Sequence, residues 1–203
     1  MKNLAKRTYS GILYVILMWY MTLSKLWFSP FFIFLGLVSI YEMLKVRNSK
    51  SKFFALLFVI CPFILIHFIR DRNMLLYIFI LTWTFDSFAY LLGSKYGKNK
   101  MFPNISPKKS WEGFCGGLIA CIILSILSLD FINYSFLSAL IVSIVIPFTA
   151  SLGDFLASYY KRKSNVKDYG KIIPGHGGVL DRMDALLISI PLIFLLENLS
   201  LIN

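Results

Sequence analysis

Residues 74–93 read MLLYIFILTWTFDSFAYLLG, twenty positions with a single charge, Asp86. A helix needs about 20 mostly apolar residues to cross the hydrocarbon core of a bilayer, so this stretch predicts a membrane span that carries a carboxylate. An acid near the centre of such a helix costs roughly 2.5–3.5 kcal/mol on insertion and tends to face a cavity or a partner. The plainer alternative places Asp86 near the interface, capping a helix or pairing with a lysine.

Outward from this span, the segments 9–28, 30–44, 53–69, 113–130, 136–157 and 179–201 are also apolar. They predict an all-α, polytopic membrane helix bundle of about seven transmembrane helices, forming one domain over residues 1–203. The chain of 203 residues is 58% hydrophobic and 17% aromatic, which is too apolar for a soluble domain of that size. The first segment follows Met1, Lys2, Lys6 and Arg7 like a signal peptide, but Ser24, Lys25 and Leu26 form no small-residue cleavage site. A retained helix is expected there. Cys61, Cys115 and Cys121 have no CxxC spacing, so neither a disulfide framework nor a zinc site is expected.

The net charge of +11 is informative through its distribution. With a cytoplasmic N-terminus, seven crossings put 18 of the 21 Lys and Arg on the cytoplasmic side and leave only Lys25, Arg70 and Arg72 outside. This is the positive-inside pattern of a membrane protein, and it makes nucleic acid unnecessary as a partner. Two long loops on the cytoplasmic side, 94–112 and 158–178, are rich in Gly, Pro, Lys and Ser. Loops carried on a rigid scaffold are where chemistry concentrates.

The polar residues of those loops adjoin further carboxylates. Asp154 lies inside the sixth segment, and Asp181 and Asp184 open the seventh. Three residues apart on a helix, Asp181 and Asp184 share a face and suit a hard cation such as Mg²⁺, while Arg182 is expected to point elsewhere. The preceding PGHGG, residues 174–178, can present successive backbone amides to an anion, with Gly177 and Gly178 just ahead of a helix start whose dipole favours phosphate. A plain tight turn is the alternative. Lys161, Arg162, Lys163, Lys167 and Lys171 crowd the same loop; with the glycines and paired carboxylates they describe a site for a metal-bound polyphosphate. Lys108 and Lys109, between Ser106 and Ser110, form a second phosphate-capable group, and Ser110 is also placed to cap the next helix. His67 reads as a packed residue. His176 reads as a phosphate contact or proton-transfer group.

Taken together, these blocks resemble the phosphatidate cytidylyltransferases, or CDP-diacylglycerol synthases. The resemblance rests on Ser158-x-x-Lys161-Arg162-x4-Lys167-Asp168-x-Gly170-x3-Pro174-x-His176-Gly177-Gly178-x2-Asp181-Arg182-x-Asp184. Asp86-Ser87-x-Ala89-Tyr90-x-x-Gly93 and the run Ser106 to Gly113 support it, so that it covers the chain from about residue 80 onward. Tyr160 departs mildly from the usual pattern, and the chain is short for a bacterial member between about residues 45 and 75.

The resemblance implies an enzyme of phospholipid biosynthesis that joins phosphatidic acid to CTP, releasing pyrophosphate, at a cytoplasm-facing site in the bacterial inner membrane. It implies a catalytic half at about 80–203 and a two-cation centre held by Asp154 and Asp181, with Asp184 alongside and Mg²⁺ as one ion. Lys167 and His176 are carried over with the catalytic group; Asp86, Ser106, Lys108, Lys109, Ser110, Lys161, Arg162, Gly177 and Gly178 are expected to contact substrate. A homodimer is compatible with it. A CTP-dependent polyprenol kinase is the nearer alternative; a transporter would require carboxylates along a route and internal repeats, neither of which is evident.

Overall fold

The computed structural model describes residues 2–46, 52–129, 134–170, 172–173 and 177–202, with side chains from residue 9 onward. Its helices are α1 (Lys2–Leu23), α2 (Phe28–Lys45), α3 (Lys52–Leu65), α4 (Arg72–Tyr96), α5 (Trp111–Leu127), α6 (Phe136–Lys163), α7 (Leu180–Met183) and α8 (Leu186–Asn198). A hairpin of β1 (Lys100–Phe102) and β2 (Ser106–Ser110) lies between α4 and α5. Among the described residues, α2, α4 and α6 are long and apolar enough to cross a membrane, and the apolar parts of α1, α3, α5 and α8 are shorter.

The burial pattern is that of a protein dissolved in lipid. Ile12, Leu13, Ile16 and Tyr20 of α1 and Ile119, Ile123 and Ile126 of α5 are exposed, apolar surface of a kind that water would penalise. Thr82 and Thr149 turn inward and find partners: Thr82 Oγ1 donates to the Ile78 carbonyl at 2.8 Å, and Thr149 Oγ1 meets Ser189 Oγ at 2.7 Å between α6 and α8. Hydrogen bonding inside the bundle is what a hydrocarbon solvent demands. A core of Met18, Phe32, Phe79, Leu81, Ile146 and Ile190 fills the space between the helices.

Helix starts follow the local chemistry. Asp71 caps α4 by accepting from Asn73 N at 2.9 Å, Ser110 caps α5 by accepting from Gly113 N at 3.2 Å, and Ser135 caps α6 by accepting from Ser138 N at 3.1 Å. Close approach joins α4 to α5, because a Cβ on Gly113 would stand 2.5 Å from the Ala89 carbonyl and one on Gly117 would stand 2.6 Å from the Phe85 ring. Small residues four apart let two helices touch through their backbones. The C-terminus of α6 is turned by Asn165 at φ 54°, a left-handed conformation that asparagine tolerates.

Two features differ from the expectations. The loop 94–112 contains the hairpin, with Lys100 opposite Ser110 and Phe102 opposite Ser106; Ile105 N bonds the Phe102 carbonyl at 3.2 Å to close its turn. The seventh segment is also not one helix, since the chain breaks at residues 184–185 between α7 and α8. The break and the hairpin lie at the same end of the bundle, with the C-termini of α2, α4 and α6.

Candidate active site

At that end the helices enclose a cavity of about 520 Å³. Asp86 on α4, Lys109 on β2, Asp154 and Lys161 on α6, and Asp181 and Asp184 beside the helix break all line it. Asp154 and Lys161 are seven residues apart, two helical turns, which places both on the face of α6 toward the cavity. Tyr14 of α1 closes one side, donating its hydroxyl to the Arg182 carbonyl at 3.4 Å.

Asp181 is the most constrained of these groups. Its Oδ1 accepts from Lys161 Nζ at 2.8 Å, and its Oδ2 accepts from the amides of Tyr169 at 2.8 Å and Gly178 at 2.9 Å. Lys161 and Asp181 are each 7% exposed, so each neutralises the other in a place where an unpaired charge would be very costly. Lys161 Nζ also lies 3.7 Å from Asp184 Oδ2 and 5.0 Å from the centre of the Tyr169 ring. Burial pushes the Tyr169 hydroxyl well above the usual phenol range, helped by the charges of Asp184 and Asp181. It therefore remains a donor, to the Ala157 carbonyl at 3.0 Å. Gly177 sits at φ 87° with its Cα against Asp181: a Cβ there would fall 2.9 Å from Oδ2.

On the other side of the cavity Lys109 Nζ pairs with Asp154 Oδ2. Asp86, Asp154 and Asp184 line the same cavity. Among the described residues, its lining holds five carboxylates, from Asp86, Asp154, Asp168, Asp181 and Asp184, against three cations, from Lys109, Lys161 and Arg182. This surplus of hard oxygen donors fits a magnesium ion, which takes one or two protein carboxylates and completes its shell with water or phosphate oxygens. Among the described residues, no three potential ligand side chains converge on one point, so such an ion would draw on that mixed shell.

The remaining expected residues are distributed unequally. Ser106, Lys108 and Ser110 line a smaller, mostly apolar cavity of about 230 Å³ with Phe85, Tyr90, Met101 and Phe114; Asp86 and Lys109 belong to both cavities. Ser110 spends its oxygen on the α5 cap. Lys167 lies apart from the main cavity, exposed in a recess with Lys45. Arg162 is exposed and donates to the Val166 carbonyl at 3.2 Å. His67 Nδ1 lies 2.9 Å from the Phe63 carbonyl, in keeping with a packed residue. His176 and Lys171 lie outside the described residues. Arg182 corrects the expectation that it points elsewhere: it lines the cavity beside its two aspartate neighbours, because α7 has only one turn and offers both sides to the opening.

Glu42 and Tyr14 escaped the sequence reading. Tyr14 carried no signal beyond an aromatic residue in a span. Glu42 carried one, a carboxylate within the apolar run 30–44, and it proves to be 1% exposed. Its Oε1 accepts from Val179 N at 3.2 Å and its Oε2 from Leu180 N at 2.8 Å. The amides after Gly177 are thus held by the chain's own carboxylates.

Comparison with known proteins places this geometry in context. Residues 63–200 match the cytidylyltransferase family. The chain is 36% identical over an alignment of 218 positions to a phosphatidate cytidylyltransferase of Rickettsia bellii, covering 98% of this chain and 93% of that protein. It is 40% identical over 163 residues to one from Haemophilus influenzae, covering 70% of this chain and 57% of that protein. A third, from Staphylococcus haemolyticus, is 44% identical over 124 residues, 60% of this chain and 48% of its own length. The chain therefore spans about half the length of two of these relatives and nearly all of the other.

Proposed function

This chain belongs to the cytidylyltransferase family, and from that premise we propose that it transfers a cytidylyl group from CTP to phosphatidic acid, giving CDP-diacylglycerol and pyrophosphate. The observation that carries this is the cavity in which Asp154, Asp181 and Asp184 meet Lys109 and Lys161. It opens at the end of the bundle where lysines gather, beside a smaller apolar cavity suited to part of a lipid. We take that end as the cytoplasmic one, in the bacterial inner membrane, and the shorter apolar helices as completing about seven crossings.

In this reaction the phosphate monoester of phosphatidic acid attacks the α-phosphorus of CTP in line and pyrophosphate departs. The second pKa of such a monoester is about 6, so the nucleophile is already largely a dianion at neutral pH and needs no strong base. The barrier is the approach of two anions, which is overcome by positioning and by preorganised opposite charge. Lys109 and Lys161 face the reacting region from β2 and α6, and each is held in place by a carboxylate partner. Asp154 and Asp184, with Asp181 behind them, are the residues to hold magnesium, which would screen the phosphate oxygens and orient the pyrophosphate leaving group. His176, Lys167 and Arg162 are assigned to the outer part of the nucleotide phosphates. Ser106 and Lys108 are assigned to the lipid phosphate, a reading supported by the mostly apolar cavity they border.

Asp154→Asn tests the assignment most cleanly, because Asp154 is partly accessible and holds no backbone amide. Purified Asp154→Asn protein in lipid nanodiscs, supplied with labelled CTP, Mg²⁺ and a panel of lipid acceptors, is expected to lose CDP-diacylglycerol formation by about 100-fold or more, the scale of a lost electrostatic contribution. Wild-type activity in that variant overturns the role of Asp154. A wild-type enzyme that phosphorylates a polyprenol and releases CDP would be a CTP-dependent kinase instead.

A further inference from the structure

We infer that Glu42, on α2, is a positioning residue for the reaction: it clamps the backbone from which Asp181 and Asp184 project. Glu42 lies outside residues 63–200, the part of the chain that matches the family, and it is separated from its partners by well over a hundred positions. Its two carboxylate oxygens accept from the consecutive amides of Val179 and Leu180 at 3.2 and 2.8 Å. With 1% of its surface exposed, it is a committed acceptor and not a surface acid. The surrounding chain is cut to fit it. A Cβ on Gly178 would stand 2.4 Å from Glu42 Oε1, and a Cβ on Gly170 would stand 2.2 Å from the same atom. Two glycines on opposite strands of the loop therefore admit one carboxylate between them.

The consequence for the cavity follows from what lies next in the chain. Gly178 N, adjacent to the Glu42 clamp, donates to Asp181 Oδ2, and Asp181 Oδ1 holds Lys161. Glu42 thus fixes the amides of residues 179 and 180, those residues fix where Asp181 stands, and Asp181 fixes the ammonium of Lys161 that faces Asp184. Without the clamp, two buried amides lose their acceptor and the loop must move to find another. Glu42 does not itself reach the cavity lining, so its effect passes through the carboxylates that do.

This rests on the cytidylyl-transfer function proposed above, and the test separates the two. Wild type, Glu42→Gln and Glu42→Ala are prepared as full chains in nanodiscs, and kcat, KM for CTP, KM for the lipid acceptor and the Mg²⁺ concentration for half-maximal rate are measured. Glu42→Gln keeps the shape and one acceptor oxygen while losing the charge. It is expected to lower kcat by about tenfold, the equivalent of one charge-assisted hydrogen bond, and to raise the Mg²⁺ requirement, with KM for the lipid unchanged. Glu42→Ala is expected to go further in the same direction. Hydrogen exchange without nucleotide or metal provides a reading independent of activity: the amides of Val179 and Leu180 should exchange faster in both variants. Wild-type kcat and Mg²⁺ dependence in Glu42→Gln would overturn the inference, as would a lowered KM for CTP, which would make Glu42 an obstacle to the nucleotide. An inactive wild type with slow exchange at Val179 and Leu180 would instead overturn the proposed function and leave the clamp standing.

Discussion

At the scale of single residues, Asp181 carries two duties that mutation separates. It is a candidate ligand by position, and it is also the counter-charge of Lys161 and the acceptor for two loop amides. Asp181→Asn leaves the Lys161 ammonium almost wholly buried with Asp184 at 3.7 Å as its remaining carboxylate. Removing one partner of a buried ion pair costs about 3 kcal/mol or more, whereas replacing both is often close to neutral. The single variant is therefore expected to lower the unfolding midpoint measured in mild detergent, and Asp181→Asn combined with Lys161→Met is expected to recover most of that loss. Activity should stay lost in both. A single variant as stable as wild type would mean that the pair does not hold the loop.

Between residues and the bundle stand the elements, and here the hairpin does what a plain loop could not. It carries Lys109 from the end of α4 to the cavity and delivers Ser110 to the start of α5 in one strand. Trp111 N bonds the Asn99 carbonyl at 3.0 Å, and Glu112 accepts from Asn99 N and Nδ2 at 3.1 and 2.8 Å, so both ends of the hairpin are tied to one helical turn. Ser110→Ala removes the α5 cap at a cost of about 1 kcal/mol. It is expected to reduce thermal stability modestly and to weaken binding of a lipid phosphate analogue at Lys109; an unchanged affinity would separate the cap from the position of Lys109. The apolar segments were legible because their length and composition leave few alternatives in lipid. The hairpin was not, since its strands are short, rich in lysine and interrupted by Pro107. The break at residues 184–185 was equally hidden, as neither glycine nor proline marks it. For the site, the carboxylates and lysines were readable as residue types at telling spacings. Their partners were not, because the Glu42 clamp and the pairing of Lys109 with Asp154 join positions far apart in the chain.

On the scale of the whole molecule, the bundle separates its charges along its length. The candidate site, Lys45, Lys95 and the hairpin lysines lie at one end. Arg72 lies at the other, where its Nη1 donates to the Ser24 carbonyl at 2.9 Å and its guanidinium stands 4.7 Å from the centre of the Phe28 ring. Arg70 N meets the Glu197 carboxylate there at 3.3 Å, and Tyr134 donates to Asp71. The Arg72 side chain at that end is thus engaged within the protein, whereas Lys98 and Lys108 are exposed at the site end. The asymmetry predicts a definite orientation, because lysine and arginine are retained on the cytoplasmic side of short loops. In a background with Cys61, Cys115 and Cys121 replaced by alanine, Lys98→Cys should react with a membrane-impermeant maleimide only after the cells are opened. Lys25→Cys should react in intact spheroplasts. The reverse pattern would put the cavity on the side where CTP is absent, and with it the proposed reaction would fail.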